Sequence, residues 1–207
     1  MSEETEKSQV NKKAKFSSFY DLIIARRSIR QFKSKPVQQE LLVKIVNAGR
    51  LAPSAANLQP LEYIIVFNSK LNKKIFDCLN WANYLGDEGK PKPGYEPAAY
   101  IIGLINLSIK EKGYEYDVGA SFENMILTAL EEGVGSCWIR SINRKKLSQI
   151  LEIPSNYIID SVLALGYPDE EPIVEEVKHS IKYWKDQEDR LHVPKRRLID
   201  IIHYNKF

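Results

Sequence analysis

The sequence predicts an α+β domain in which one sheet is covered by helices. Three observations carry this. Helical and β-rich segments follow one another without strict βαβ alternation. Two β-rich runs are too apolar for solvent-facing strands: 61–67 (LEYIIVF) and 98–107, the second apolar almost throughout. Finally, 207 residues with 43% hydrophobic side chains suffice for one core without disulfide or metal staples.

The elements follow in order. Residues 1–15 are too polar to bury anything and are expected to form a disordered arm, leaving 16–207 as a single domain. Ser17 or Ser18 can cap a first helix reaching about Arg26, with Phe19, Leu22 and Ile23 on one face. Pro36 interrupts the pattern. A second helix spans 38–49 through Leu41, Leu42, Ile45, Val46 and Ala48. Segment 52–60 (APSAANLQP) places small residues between two prolines and reads as a loop, followed by the 61–67 strand. A helix is expected over 70–80, and an exposed Gly/Pro-rich loop over 86–97. After the 98–107 strand, a long helix over 117–132 is expected to be capped by Asp117 and broken at Gly133-Val134-Gly135. A short strand (136–140), a helix (143–151) and a strand (157–165) complete the core. Segment 168–174 reads as an acidic loop, 175–194 as charged chain largely outside the core, and 194–207 as a tail that is basic and then amphipathic.

Several function classes drop out. Lys and Arg total 30 against 27 Asp and Glu, a balance unlike that of a dedicated nucleic-acid binder. No apolar run approaches the ~20 residues of a membrane helix, and the N-terminus has no apolar signal core. The two cysteines, Cys78 and Cys137, form no C-x-x-C motif and suit a reducing cytoplasm. No metal site is expected. The three histidines, His179, His192 and His203, all lie near the C-terminus and read as surface groups. GVGSCW lacks the third glycine of a dinucleotide fingerprint.

Four constellations could carry chemistry. Between Asp21 and Glu40 lie Arg26, Arg27, Arg30, Lys33 and Lys35 and no acid, and the tail adds Lys195, Arg196 and Arg197. Arginine pairs bidentately with phosphate, and Ser28 adds a hydroxyl; the alternative is a solvated basic face. In Pro53–Pro60, Ser54, Asn57 and Gln59 can read a heterocycle edge, or bond their own backbone as a turn. Gly133–Arg140 can present backbone N–H groups and Trp138 to a flat ligand, or simply join helix to strand. Trp81 and Tyr84, beside the Gly/Pro-rich loop, suit a substrate lid or core packing.

Together these residues resemble the nitroreductase family of FMN-dependent oxidoreductases, from about Phe16 to Leu198. The landmarks are Arg26-Arg27-Ser28-Ile29-Arg30, the 52–60 loop, Asp117-Val118-Gly119, Gly133–Ile139, Leu165-Gly166-Tyr167-Pro168 and Lys195–Leu198. The resemblance implies an α+β fold with a mixed, mainly antiparallel sheet, and an intertwined homodimer carrying FMN at the subunit interface. Arg26, Arg27, Ser28 and Arg30 would bind FMN from its phosphate to its pyrimidine edge, with Lys195 and Arg197 completing the phosphate site. Pro53, Ser54, Ala55, Asn57 and Gln59 would come from the other subunit. Trp138, Ile139 and Arg140 would run along the flavin ring, Trp81 and Tyr84 would meet the substrate, and a tail from about 175 to 207 would wrap the partner. NADH or NADPH would donate hydride to flavin N5, and nitroaromatics, quinones or similar electron-poor small molecules would accept the electrons in a ping-pong cycle. No side chain is then expected to serve as an indispensable base. The same fold also serves reductive dehalogenation and oxygen-dependent flavin fragmentation, and a non-enzymatic basic binding module is the reading from outside the family. Arg140 and Glu123 depart from the family's pattern, which more often has a small residue and an amide there.

Overall fold

A computed structural model describes residues 16–207. Four strands form the central sheet: β1 (Leu61–Val66), β2 (Ala99–Asn106), β3 (Gly135–Ile139) and β4 (Tyr157–Gly166). Their order is β1-β2-β4-β3 and every neighbouring pair is antiparallel. Five helices flank it: α1 (Phe19–Ala25), α2 (Gln39–Arg50), α3 (Ser69–Phe76), α4 (Glu115–Glu131) and α5 (Arg144–Ile150).

Strand alternation explains why β2 is apolar on both sides. Ile101 and Ile105 join Leu42 and Ile45 of α2 and Phe122 and Met125 of α4 in one core. Tyr100, Ile102 and Leu104 face the opposite way, into a second core with Ile75 of α3, Leu147 of α5, Leu79 and Trp81. The sheet is therefore covered on both faces.

Two glycines set the geometry that the site inherits. A Cβ at Gly103 would lie 2.7 Å from the Phe122 ring, so glycine lets that ring settle against β2. A Cβ at Gly135 would lie 2.8 Å from Ile29 and 2.9 Å from Pro168. Its absence lets the chain after α1 run directly beside β3.

The structure corrects several expectations. Helix α4 begins at Glu115 after Tyr114, so Asp117 is a buried residue of its first turn and not the cap. Helix α1 buries only Leu22, while Phe19 and Ile23 face outward. Helix α3 stops at Phe76, after which Cys78 and Leu79 continue in a turn. The 86–97 loop is pinned: the Phe32 N–H donates to the Tyr95 carbonyl (3.0 Å) and the Lys92 N–H to the Gln31 side chain (3.1 Å). The charged stretch after residue 172 is not loose chain. It forms a second sheet from β5 (Ile173–Glu176), β6 (Trp184–Lys185) and β7 (Leu191–Lys195), in the order β5-β7-β6. Charge concealed these strands, because polar side-chain ladders hold them and Leu191 is the one large apolar side chain they bury. Among the described residues no helix is long and apolar enough to cross a membrane.

Candidate functional site

The site begins where α1 ends. Arg26 takes an extended conformation, and the chain then runs alongside β3: Ser28 bridges to Ser136 in parallel, and the Ile29 N–H donates to the Ser136 carbonyl at 2.8 Å. Extended backbone alternates its side chains. Arg26, Ser28 and Arg30 thus share one side, and Arg27 and Ile29 the other. Arg27 accordingly does not join the other arginines. Its guanidinium turns back to the carbonyls of Ile24 (2.6 Å) and Arg26, at the negative end of α1.

A carboxylate that sequence reasoning passed over fixes this segment. Glu170 accepts the backbone N–H groups of Arg30 and of Gln31, the latter at 3.2 Å. Burial pushes its carboxyl above the ordinary range, opposed by those two N–H groups and by the Arg30 charge. The only sequence signal was an acidic run after Tyr167-Pro168, which also reads as a solvated loop.

Two adjoining clefts open over this edge. The first, about 390 Å³, is lined by Arg26, Ser28, Glu123, Ile126, Ser136, Trp138 and Arg140. Arg26 faces Glu123 at 3.7 Å, with both side chains partly exposed. Trp138 is 36% exposed and stacks on Phe122 (centroids 5.1 Å, planes 25° apart), so the close approach at Gly103 sets the plane of the cleft wall. Ile139 points into the core. Arg140 reaches the buried Asp160 at 3.2 Å, and Arg144 holds the Arg140 carbonyl (3.1 Å). β3 ends at Ile139, which places the Arg140 backbone beyond the ladder.

The second cleft, about 350 Å³, shares Trp138 and Arg140 and adds Arg30, Asn80, Trp81, Tyr84 and Tyr183. No carboxylate among the described residues lines it. Two buried donors beside it, Arg30 Nε and Trp81 Nε1, lack a partner among the described residues. Buried donors are almost always paired, so these two stand out beside the cleft. Trp81 is only 5% exposed and packs on Phe76, so core packing decides its position, whereas Tyr84 is exposed. Burial pushes the Cys137 thiol up, against the pull of Arg30, which argues against a nucleophilic thiolate.

The remaining candidates lie elsewhere. Pro53, Ser54, Ala55, Asn57 and Gln59 line neither cleft of their own chain. Their loop is strained, with positive φ at Ala56, Asn57 and Gln59. Ser54 Oγ accepts the Gln59 N–H (3.0 Å), the Gln59 amide donates to the Asn57 carbonyl, and Asp117 accepts the Ala55 N–H at 3.0 Å. Lys195 and Arg197 are also outside both clefts. The β5–β7 register sets Lys195 beside Glu176, and Arg197 is forked onto Asp200 at 2.8 and 2.9 Å. Within one chain the tail window therefore lines neither cleft.

The Nitroreductase family model matches residues 23–167. A protein of Archaeoglobus fulgidus, provisionally named NADH dehydrogenase/NAD(P)H nitroreductase, is 33% identical over 72% of this chain and 85% of its own length. An iodotyrosine deiodinase of Thermotoga neapolitana is 28% identical over 73% of this chain and 89% of its own. Among solved structures, an FMN-dependent nitroreductase of Clostridium difficile superposes with a TM-score of 0.63 at 26% identity, covering 90% of this chain and 98% of that one.

Proposed function

Because the chain belongs to the nitroreductase family, we propose that it is an FMN-dependent NAD(P)H oxidoreductase acting on small electron-poor acceptors such as nitroaromatics or quinones. The observation that carries this reading is the pair of adjoining clefts, cationic at one end and donor-lined and acid-free at the other.

The residues fit the cofactor. Arg26 and Ser28 suit a phosphate and a hydroxylated chain. The unpaired donor of Arg30 suits a ring carbonyl, and the Trp138 wall suits a flat heterocycle. When bound, FMN supplies the two-electron chemistry that lets one site serve the nicotinamide and the acceptor in turn. The chain's part is to bind, orient and tune. Arg30 places positive charge at the acid-free end, where it favours a ligand whose negative charge grows on reduction. Glu170 holds the Arg30 backbone in register, and Asp160 draws the Arg140 side chain aside.

One chain does not complete the site. The strained 52–60 loop is exposed and faces neither cleft, which suits residues offered to a second subunit. Apolar side chains for such an interface stand outward: Phe19, Tyr20, Ile23 and Ile24 on α1, and Leu198, Ile199, Ile201, Tyr204 and Phe207 on the tail. The β5–β6–β7 sheet folds back on its own chain, so the segment available to wrap a partner is 196–207.

Glu123 competes with any anion for Arg26. Exposed pairs of this kind contribute roughly 0–1 kcal/mol. Glu123→Gln is therefore expected to tighten FMN binding about two- to fivefold, read by fluorescence titration of the apoprotein. The test of the whole reading is chromatography of the cofactor released from purified protein. FMN is the expected species; FAD, or no flavin after purification and reconstitution, contradicts the reading.

A further inference from the structure

His192 does not behave as a free surface histidine. It sits on β7 opposite Ile173 of β5 and Trp184 of β6. Its Nδ1 lies 3.1 Å from Glu175 and its Nε2 3.2 Å from Asp186, while its ring stacks on Trp184 (4.2 Å, 18°). Trp184 Nε1 donates to the other oxygen of Glu175 at 2.9 Å. The charged groups around the imidazole are accounted for element by element. From β5 comes Glu175, with Lys178 beyond it. From the turn after β6 comes Asp186, which accepts the Arg190 side chain (2.8 Å) and the backbone N–H groups of Glu188 and Arg190. Glu188 pairs with Arg190 (3.2 Å), and Asp189 with Lys185 (2.8 Å) and Lys92 (2.6 Å).

Two carboxylates against one imidazole pose a donor problem. Neutral imidazole has one donor and one acceptor nitrogen, and only imidazolium donates from both. One contact therefore becomes lone pair against carboxylate whenever His192 loses its proton. Partial burial works against the charged ring, yet Asp186 and Glu175 together hold its pKa above the ordinary value. A raised folded-state pKa places the stabilising contribution fully below the unfolded value, near 6.5. That contribution is lost as pH rises through the folded value.

The same sheet carries the residue that roofs the second cleft. Tyr183 immediately precedes Trp184. Its ring lies 5.5 Å from the Arg30 guanidinium carbon and 5.0 Å from the Tyr84 ring, and it lines the cleft beside Trp81 and Arg140. The 177–190 excursion also meets the body through Lys92–Asp189 (2.6 Å), the Tyr84 N–H donating to the Tyr183 hydroxyl (3.5 Å), and Lys182 over the Tyr84 ring (5.5 Å).

We propose that the 177–190 excursion, which carries β6, is a proton-latched flap over the Arg30 cleft, with Tyr183 as its closing residue and its latch where Asp186 meets His192 of β7, which Glu175 of β5 engages from the other side. The flap is closed while His192 is doubly protonated and loosens at higher pH. Its role in gating acceptor or nicotinamide entry rests on the function proposed above; the latch does not.

Hydrogen exchange by mass spectrometry tests both, on the full-length protein as purified, at pH 6 and pH 8.5 with intrinsic rates corrected. In the wild type, amides of 177–190 are expected to exchange about tenfold faster at pH 8.5, the scale of one charge-assisted hydrogen bond. Cleft amides of 80–84 and 138–141 should rise with them. His192→Gln, with one donor and one acceptor at any pH, should exchange fast at both. Tyr183→Ala should keep the pH step in 184–192 while exposing the cleft amides at both pH values. A flap with no pH step in the wild type and no response to His192→Gln overturns the latch. A flap that loosens while the cleft amides stay protected overturns the lid. A protein shown to bind no flavin fails the functional reading and leaves these readouts intact.

Discussion

Asp117→Ala is expected to lower the unfolding free energy by about 3–5 kcal/mol, the range for a buried ion pair that loses one partner. Asp117 is 4% exposed, and its carboxylate holds Lys110 at 2.6 Å while accepting the Ala55 N–H at 3.0 Å. Removing it strands a largely buried ammonium. It also frees a loop in which Ala56, Asn57 and Gln59 hold left-handed backbone angles, each costing roughly 1–2 kcal/mol. Urea unfolding of the variant measures the loss. The double change Asp117→Leu with Lys110→Met removes both charges and should recover most of it. A loss below about 1 kcal/mol for Asp117→Ala contradicts the anchoring role.

Arg30→Met is expected to weaken FMN binding about 10- to 100-fold. That matches the roughly 1.5–3 kcal/mol of a hydrogen bond involving a charged group. The residue brings positive charge and an unpaired buried donor to an acid-free cleft. Arg27→Ala is the informative control. It lies one position from Ser28 in the same basic window, yet its guanidinium serves the carbonyls at the end of α1. It should leave FMN affinity unchanged. Equal loss in the two variants would mean that the cleft reads net charge and not the geometry of the extended strand.

The contrast between these two arginines shows what the sequence could reveal. The central strands were legible because burial on both faces leaves a continuous apolar run, as in β2. The arginine window was legible as charge, but its division into cleft and helix-end roles needed the strand pairing of Ser28 with Ser136. Asp117 looked like a cap because acids favour helix starts. Its actual role depends on Lys110 and Ala55, contacts visible only in three dimensions. Trp81 beside a Gly/Pro-rich loop fitted a lid and core packing equally, and its packing against Phe76 buries it. The β5–β6–β7 sheet escaped notice because its strands are short and lie within highly charged sequence. The family resemblance joins Lys195 and Arg197 to Arg26 at one phosphate; within one chain Arg197 pairs with Asp200.

A flavin held in the two clefts would pass electrons from a nicotinamide to a small acceptor. Anaerobic mixing of the purified protein with NADH and, separately, NADPH reads this out. Visible flavin absorbance is expected to bleach with at least one donor and to return on adding a quinone or nitroaromatic. A flavin that neither donor bleaches, or a protein that stays colourless after incubation with FMN, would contradict it.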